Sequence, residues 1–380
     1  MRIALLGPSY PFRGGIAHYT TLLCRALQAR HEVRFLTFRR QYPAWLYPGR
    51  SDRDVSVTPL RVAEAEPMLD SLDPRTWLAT GDRLADWAPD LTIIPWWTAY
   101  WALPDSVVLA RLHRQGYRRT LFLCHNVMGH ERGVLHRLAG QLVLRQGRAF
   151  IAHSEPEAAA LRALVPGAAV RCTPHPTYGI LSRGTISRHE ACCYLGLNGP
   201  VLLFFGFVRP YKGLSDLLAA LPRVLARFPV TLLVVGEFWQ PLAEYERQAR
   251  ALGVEAAVRF VDRYISNEEV PLYFAAADLV VLPYRSVTGS GVAQLALGCG
   301  RPVVATRTGS LADTIDEGRT GFLTPPGDPV ALAEAILHFL DLPAAEQAAF
   351  EERILASQKR FSWDELVACI ESAAAEIGIS

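Results

Sequence analysis

The sequence predicts an α/β fold of two Rossmann-like domains that face each other, each a parallel sheet flanked by helices. Three observations carry this. Short apolar runs alternate with helical patterns along both halves of the chain, which implies parallel strands joined by crossover helices. Several of those runs end in a glycine followed by charged or hydroxyl residues, at the strand ends where ligands of such sheets bind. The 380 residues, half of them hydrophobic and a fifth charged, suffice for two domains that each bury a core.

In the first half, Arg2–Leu6 reads as a strand that runs into Gly7-Pro8-Ser9-Tyr10-Pro11-Phe12-Arg13-Gly14-Gly15-Ile16. These glycines do not follow the G-x-G-x-x-G spacing, and no acidic residue closes a second strand, so the loop is not a dinucleotide fingerprint. Ile16–Arg30 has apolar residues at helical spacing, Glu32–Phe38 and Leu91–Pro95 read as strands, and Arg119–Cys124 is a strand ending at His125-Asn126. Gly184, Gly196 and Gly199 mark a boundary within 182–199. The expected domains are therefore 1–185 and 186–360, with 361–380 a closing helix that crosses back to the first.

In the second half, Val201–Phe205 is an apolar strand, Gly206 allows close backbone approach, and Arg209 with Lys212 stand before a helix over Leu214–Leu225. An anion there would meet guanidinium, ammonium and helix N-terminus together, the requirements of a diphosphate. Next come Val230–Val235 ending in Gly236-Glu237, then Arg259–Ile265, then Leu279–Leu282 closed by Pro283-Tyr284-Arg285. Thr288-Gly289-Ser290-Gly291-Val292 opens a helix, and Arg301–Thr306 is another buried strand.

From about Pro200 to the Phe361-Ser362-Trp363 of the closing helix, this ordered set resembles family 4 glycosyltransferases, the GT-B enzymes that use nucleotide sugars. The resemblance implies retaining transfer of a sugar from a nucleotide diphosphate sugar to an acceptor hydroxyl, on a glycan, a lipid-linked molecule or a small molecule, across a cleft between the domains. Arg209, Lys212 and the Ser290-Gly291-Val292 amides would stabilise the departing diphosphate without a metal or other cofactor. His125 would contact the donor sugar, and Gly14-Gly15 would let backbone amides approach donor and acceptor. Family 4 enzymes often carry two glutamates eight positions apart, which would fall here on Val287 and Leu295. Thr288, Ser290 and Gly291 stand in their place for the diphosphate, and Gln294 or Glu237 would supply the ribose contact. A UDP- or GDP-sugar is the expected donor, with base contacts from backbone groups around Arg263-Tyr264. A nucleotide-sugar epimerase of the same fold would need carboxylates that the cluster lacks. A noncatalytic nucleotide-sugar binder stays open because the glutamate pair is missing.

The remaining features bear on partners. Residues 1–180 carry 22 Arg, no Lys and 14 acids, a charge of +8, whereas the rest carries 17 basic and 23 acidic residues, −6, within a net charge of +2. So basic a first domain suits phosphate groups or an anionic membrane surface, and no nucleic acid is expected. Tyr42-Pro43-Ala44-Trp45-Leu46-Tyr47 and the cluster of Trp96, Trp97, Tyr100 and Trp101 offer aromatic faces for an acceptor, with burial in the core as the alternative for the second. His153 and His175 read as wall residues, and Asp52-Arg53-Asp54 as a surface turn rather than a metal-binding pair. Seven cysteines without metal spacing read as buried thiols of a reducing, cytoplasmic compartment. The longest apolar stretch, Leu91–Pro104, is shorter than the roughly 20 residues of a membrane span.

Overall fold

The computed structural model describes residues 1–127, 134–182 and 186–379. His130, Glu131 and Gly184 lie outside them. The chain forms two compact units. One comprises Met1–Asp54, Pro59–His175 and the segment from Ser362 onward; the other comprises Val55–Thr58 and Pro176–Phe361.

The first unit holds β1 (Arg2–Leu6), β2 (Glu32–Arg40), β3 (Glu66–Asp70), β4 (Leu91–Trp96), β5 (Thr120–Cys124), β6 (Ala149–Ala152) and β7 (Ala169–Cys172). They pair in parallel in the order β3-β2-β1-β4-β5-β6-β7. Every residue of β4, β5 and β6 is buried, because helices cover both faces of the sheet. One face packs Tyr19, Leu23 and Leu27 of the helix Gly15–Gln28 with Leu366, Val367 and Ile370 of the closing helix Trp363–Glu376. On the other, the helices Pro74–Trp87 and Ala102–Arg114 bring Trp77, Leu84, Val108 and Leu112 onto the strands.

The second unit repeats the plan. Its strands are β8 (Val201–Phe205), β9 (Thr231–Val235), β10 (Val258–Val261), β11 (Leu279–Leu282), β12 (Val303–Thr306) and β13 (Gly321–Thr324), in the order β10-β9-β8-β11-β12-β13. All pairs are parallel. In each sheet the order reverses beside the first strand, between β1 and β4 and between β8 and β11, the position where a crevice opens beyond the strand ends.

Several local readings change. The units part at His175–Pro176, ahead of the 182–199 stretch, and the helix Arg188–Leu195 inside that stretch is a built element with a Ser187–Glu190 capping box. Residues 55–58 join the second unit because Ser56 Oγ accepts from Asn267 N at 2.9 Å and the Glu268 carboxylate accepts from the Thr58 hydroxyl at 2.7 Å. β10 stops at Val261, since Asp262 turns to accept from Phe238 N at 3.0 Å. Cys24, Cys124 and Cys192 are buried, Cys299 and Cys369 half-buried and Cys172 and Cys193 exposed, so the expectation of buried thiols holds at three of the seven.

Candidate active site

At the carboxyl end of β8 the chain must turn sharply, and glycine permits it. Gly206 has φ +95°, and a Cβ there would stand 3.2 Å from both Lys212 Nζ and Val292 Cγ2. The ammonium, the strand end and the helix Gly291–Gly298 therefore converge on one spot. Gly213 has φ +70°, and a Cβ would lie 1.9 Å from the Pro283 carbonyl oxygen, so only glycine lets this turn press against the end of β11. Arg285 clamps the arrangement: its guanidinium donates to both carboxylate oxygens of buried Asp216 at 2.8 and 2.7 Å, and its N–H donates to Tyr211 O at 2.7 Å.

Lys212 is buried, unusual for a lysine. Its pKa is pushed down to about 7, first by burial and then by the charge of Arg209. Nζ also lies 5.4 Å from the Tyr284 ring centroid. Arg209 is in extended backbone, with its guanidinium carbon 3.5 Å from the centre of the Trp239 ring. That stacking follows from continued pairing past the strands: Val208 N donates to Glu237 O at 2.9 Å and Trp239 N to Val208 O at 3.1 Å. Phe207 lies 5.2 Å from Trp239 and 6.2 Å from Tyr264 between ring centroids, so aromatic faces line the ends of β8, β9 and β10. Sequence reasoning missed Phe207 and Trp239; their place just past apolar strand ends was the available signal.

The glycine and hydroxyl loop is held from below. Ser290 caps the helix, its Oγ accepting from Ala293 N at 3.2 Å, and Thr288 O accepts from Ser310 N at 3.0 Å. A Cβ on Gly291 would meet Tyr178 Cε2 at 3.4 Å, an ordinary contact. Gln294 and Glu237, the ribose candidates, are both buried, at 2% exposure each. Leu295 is buried too, at 7%, which explains why a carboxylate does not stand there. The Arg263 side chain is engaged with both carboxylate oxygens of Glu269 and with Tyr273 Oη at 3.2 Å, and its backbone N–H donates to Val261 O at 3.1 Å.

In the first unit Gly14, at φ +109°, precedes the helix Gly15–Gln28, and a Cβ on Gly14 or Gly15 would meet nothing within 4 Å. His125 follows β5, its N–H bonded to Trp96 O at 2.8 Å; His153 is buried, and His125 and His175 are half-buried. His153 and His175 lie 5.2 and 6.0 Å from it between ring centroids, so these are not separate wall residues but one cluster around Tyr19. Burial, then the neighbouring histidines, pushes His125 well below its usual pKa, so its imidazole is neutral near pH 7.

Two expectations fail here. Trp96 is 3% exposed in the core on the inward side of β4, so it cannot offer a face to an acceptor; Trp97 and Tyr100 are partly exposed. The segment 52–54 is not a surface turn. Arg13 N donates to Asp52 O and Asp54 N to Pro11 O, both at 2.9 Å, and the Asp54 side chain is 1% exposed, 3.8 Å from His18 Nε2. Among the described residues no group of three or more His, Cys, Asp or Glu is placed to hold a metal ion.

Two family models match the chain: a glycosyl transferase 4-like domain over residues 14–177, and glycosyl transferases group 1 over residues 199–341. D-inositol 3-phosphate glycosyltransferase 2 of Catenulispora acidiphila is 37% identical over 175 residues, 44% of this chain and 40% of its own length. The GDP-mannose-dependent alpha-(1-6)-phosphatidylinositol monomannoside mannosyltransferase of Mycolicibacterium smegmatis is 29% identical over 86% of this chain and 85% of its own. The chain thus spans less than half of the first relative and most of the second. Among solved structures, Anabaena HepE with UDP and glucose superposes with a TM-score of 0.74 at 20% identity, over 98% of this chain and 99% of that one. Sucrose-phosphate synthase from Thermosynechococcus elongatus gives 0.70 at 22%, over 100% and 98%. Both likenesses are in the fold.

Proposed function

The chain belongs to the family 4 glycosyltransferases, and from that premise we propose that it transfers a sugar, with retention, from a UDP- or GDP-sugar to an acceptor hydroxyl. The observation that carries the proposal is the convergence of Lys212 Nζ, Gly206 and Val292 at the β8–β11 switch point, with Arg209 beside it. As the bond from the sugar to the diphosphate breaks, negative charge grows on the leaving oxygens, and the acceptor oxygen bonds to the sugar as its proton passes to the departing diphosphate. Arg209, Lys212 and the amides at the start of the Gly291 helix would meet that charge. Neutral His125 would donate a hydrogen bond to the transferred sugar, and the rings of Phe207, Trp239 and Tyr264 would border the nucleoside.

Turnover is tested by nucleoside diphosphate release from UDP-glucose and GDP-mannose, with and without acceptor. Arg209→Ala and Lys212→Ala should each lower it by about 10²–10³. Near-normal turnover by either at saturating donor would sink the diphosphate assignment. Binding without any release would favour a noncatalytic binder, and conversion of the sugar without release would favour an epimerase.

The basic first unit suits peripheral contact with an anionic membrane, which would bring a lipid-linked acceptor within reach. Residues 101–150 hold eight arginines and two acids, and Leu138 and Leu142, one turn apart, are 51% and 65% exposed. His113 is pushed down by burial and then by Arg118 and Arg148, a sign of uncompensated positive charge. Sedimentation with phosphatidylglycerol vesicles but not phosphatidylcholine vesicles, lost in a Leu142→Gln, Arg145→Gln variant, is the expected result. Equal binding to both kinds of vesicle would count against it.

A further inference from the structure

The histidine cluster of the first unit has a hydrogen-bond direction that the chemistry forces. His153 Nδ1 lies 3.0 Å from the Thr173 carbonyl oxygen, which can only accept, so Nδ1 carries the hydrogen. Burial pushes the His153 pKa down to about 4, so near neutral pH the ring is uncharged and Nε2 holds a lone pair. Tyr19 Oη lies 3.1 Å from that nitrogen and must therefore donate to it. The chain runs from the Tyr19 hydroxyl through His153 to the Thr173 backbone. The Tyr19 and His125 rings meet edge to face, centroids 4.3 Å apart and planes at 87°. His175 and Trp363 pack against the same tyrosine at 5.0 and 5.2 Å.

We propose that Tyr19 and His153 are positioning residues for the transfer reaction: they hold His125 in one ring orientation and keep its surroundings uncharged. The proposal rests on the reading of His125 as the donor-sugar contact. Tyr19 lies one turn into the helix that Gly14 and Gly15 open, and His153 follows β6 as His125 follows β5. One hydrogen bond therefore ties the glycine loop to the neighbouring strand ends. An unanchored tyrosine would let His125 rotate, and a charged His153 would raise a cation beside it.

The test uses Tyr19→Phe, which keeps the ring and removes the hydroxyl, and His153→Leu. Nucleoside diphosphate release from UDP-glucose or GDP-mannose should fall about tenfold to a hundredfold in kcat for Tyr19→Phe, with donor affinity little changed, as expected of lost alignment. Long-range proton–nitrogen NMR should show the hydrogen on Nδ1 of His153 in the unaltered protein. In His153→Leu the His125 ring should titrate at higher pH, because one of the groups that lowers it is gone. A His153 hydrogen on Nε2, or Tyr19→Phe with full turnover and unshifted His125 signals, would overturn the proposal. Full turnover in His125→Ala would overturn the reading of His125 and with it the role assigned here, while leaving the His153 tautomer to be found as stated.

Discussion

Lys212 shows how burial turns an ordinary cation into a pH-dependent ligand group. Its free ammonium loses its proton around pH 7, and a bound diphosphate would favour the charged form and raise that value. Donor binding should then take up a proton, and affinity should weaken above pH 7 by up to about tenfold per pH unit. Calorimetry of UDP or GDP binding in buffers of different ionisation enthalpy reads this directly; heats independent of buffer at pH 8 would show that the lysine is already charged. Gly291 and Leu295 separate contact from stability. A methyl on Gly291 meets only an ordinary contact with Tyr178, so Gly291→Ala should fold and bind donor less well. Leu295→Glu should unfold first, because a carboxylate buried without a partner costs several kcal/mol. Melting temperatures and donor affinities of the two variants decide it, and tighter donor binding by Leu295→Glu would contradict the buried reading of that position.

At the scale of elements, the turns after strands carry the constraints. The end of β5 is held from the next helix: Val127 N donates to Glu157 Oε1 at 3.1 Å, and Glu157 is buried at the start of Glu155–Leu164. Burial raises the Glu157 pKa to about 7, against the opposing bond from Val127. Unfolded, the carboxyl ionises near its ordinary 4.5. Between these values the folded state binds the extra proton, so this group costs stability progressively from pH 4.5 to 7, and the full cost persists above 7. Glu157→Gln keeps an acceptor for Val127 and removes the charge. It should raise the melting temperature at pH 8 and do little at pH 4.5; equal shifts at both would show that charge is not the cause. Gly213→Ala should be far more damaging than Gly15→Ala, since a Cβ on Gly213 would collide with Pro283 O, whereas one on Gly15 meets open space.

For the whole molecule, chain order and unit membership part company at the closing helix. Leu366, Val367, Ile370, Ala373 and Ala374 complete the core of the first unit from the far end of the sequence. Ending the chain after Phe361 should therefore expose apolar surface on residues 1–175 and leave 176–361 largely intact. Limited proteolysis should cut the first unit and spare the second; the reverse pattern would refute this packing. Turnover should survive EDTA, since the charge on the diphosphate is assigned to side chains and a helix N-terminus. Loss of activity in EDTA with recovery in Mn²⁺ would reopen Asp52 and Asp54 as ligands.

The alternation of apolar runs and helical patterns was enough to predict two parallel α/β sheets, because strands buried on both faces are nearly continuous apolar runs: β8 and β11 are wholly apolar, and β4, β5 and β9 carry one threonine each. Glycines at strand ends and the Arg209, Lys212 pair were legible for the same local reason. The edge strands β3 and β7 were not, since their half-buried residues lack a continuous apolar run. Nor were the burial of Lys212, the stacking of Arg209 on Trp239, or the grouping of three histidines around Tyr19. Those depend on which strand ends the parallel order sets side by side, and residues far apart in the chain become neighbours only when the sheet assembles.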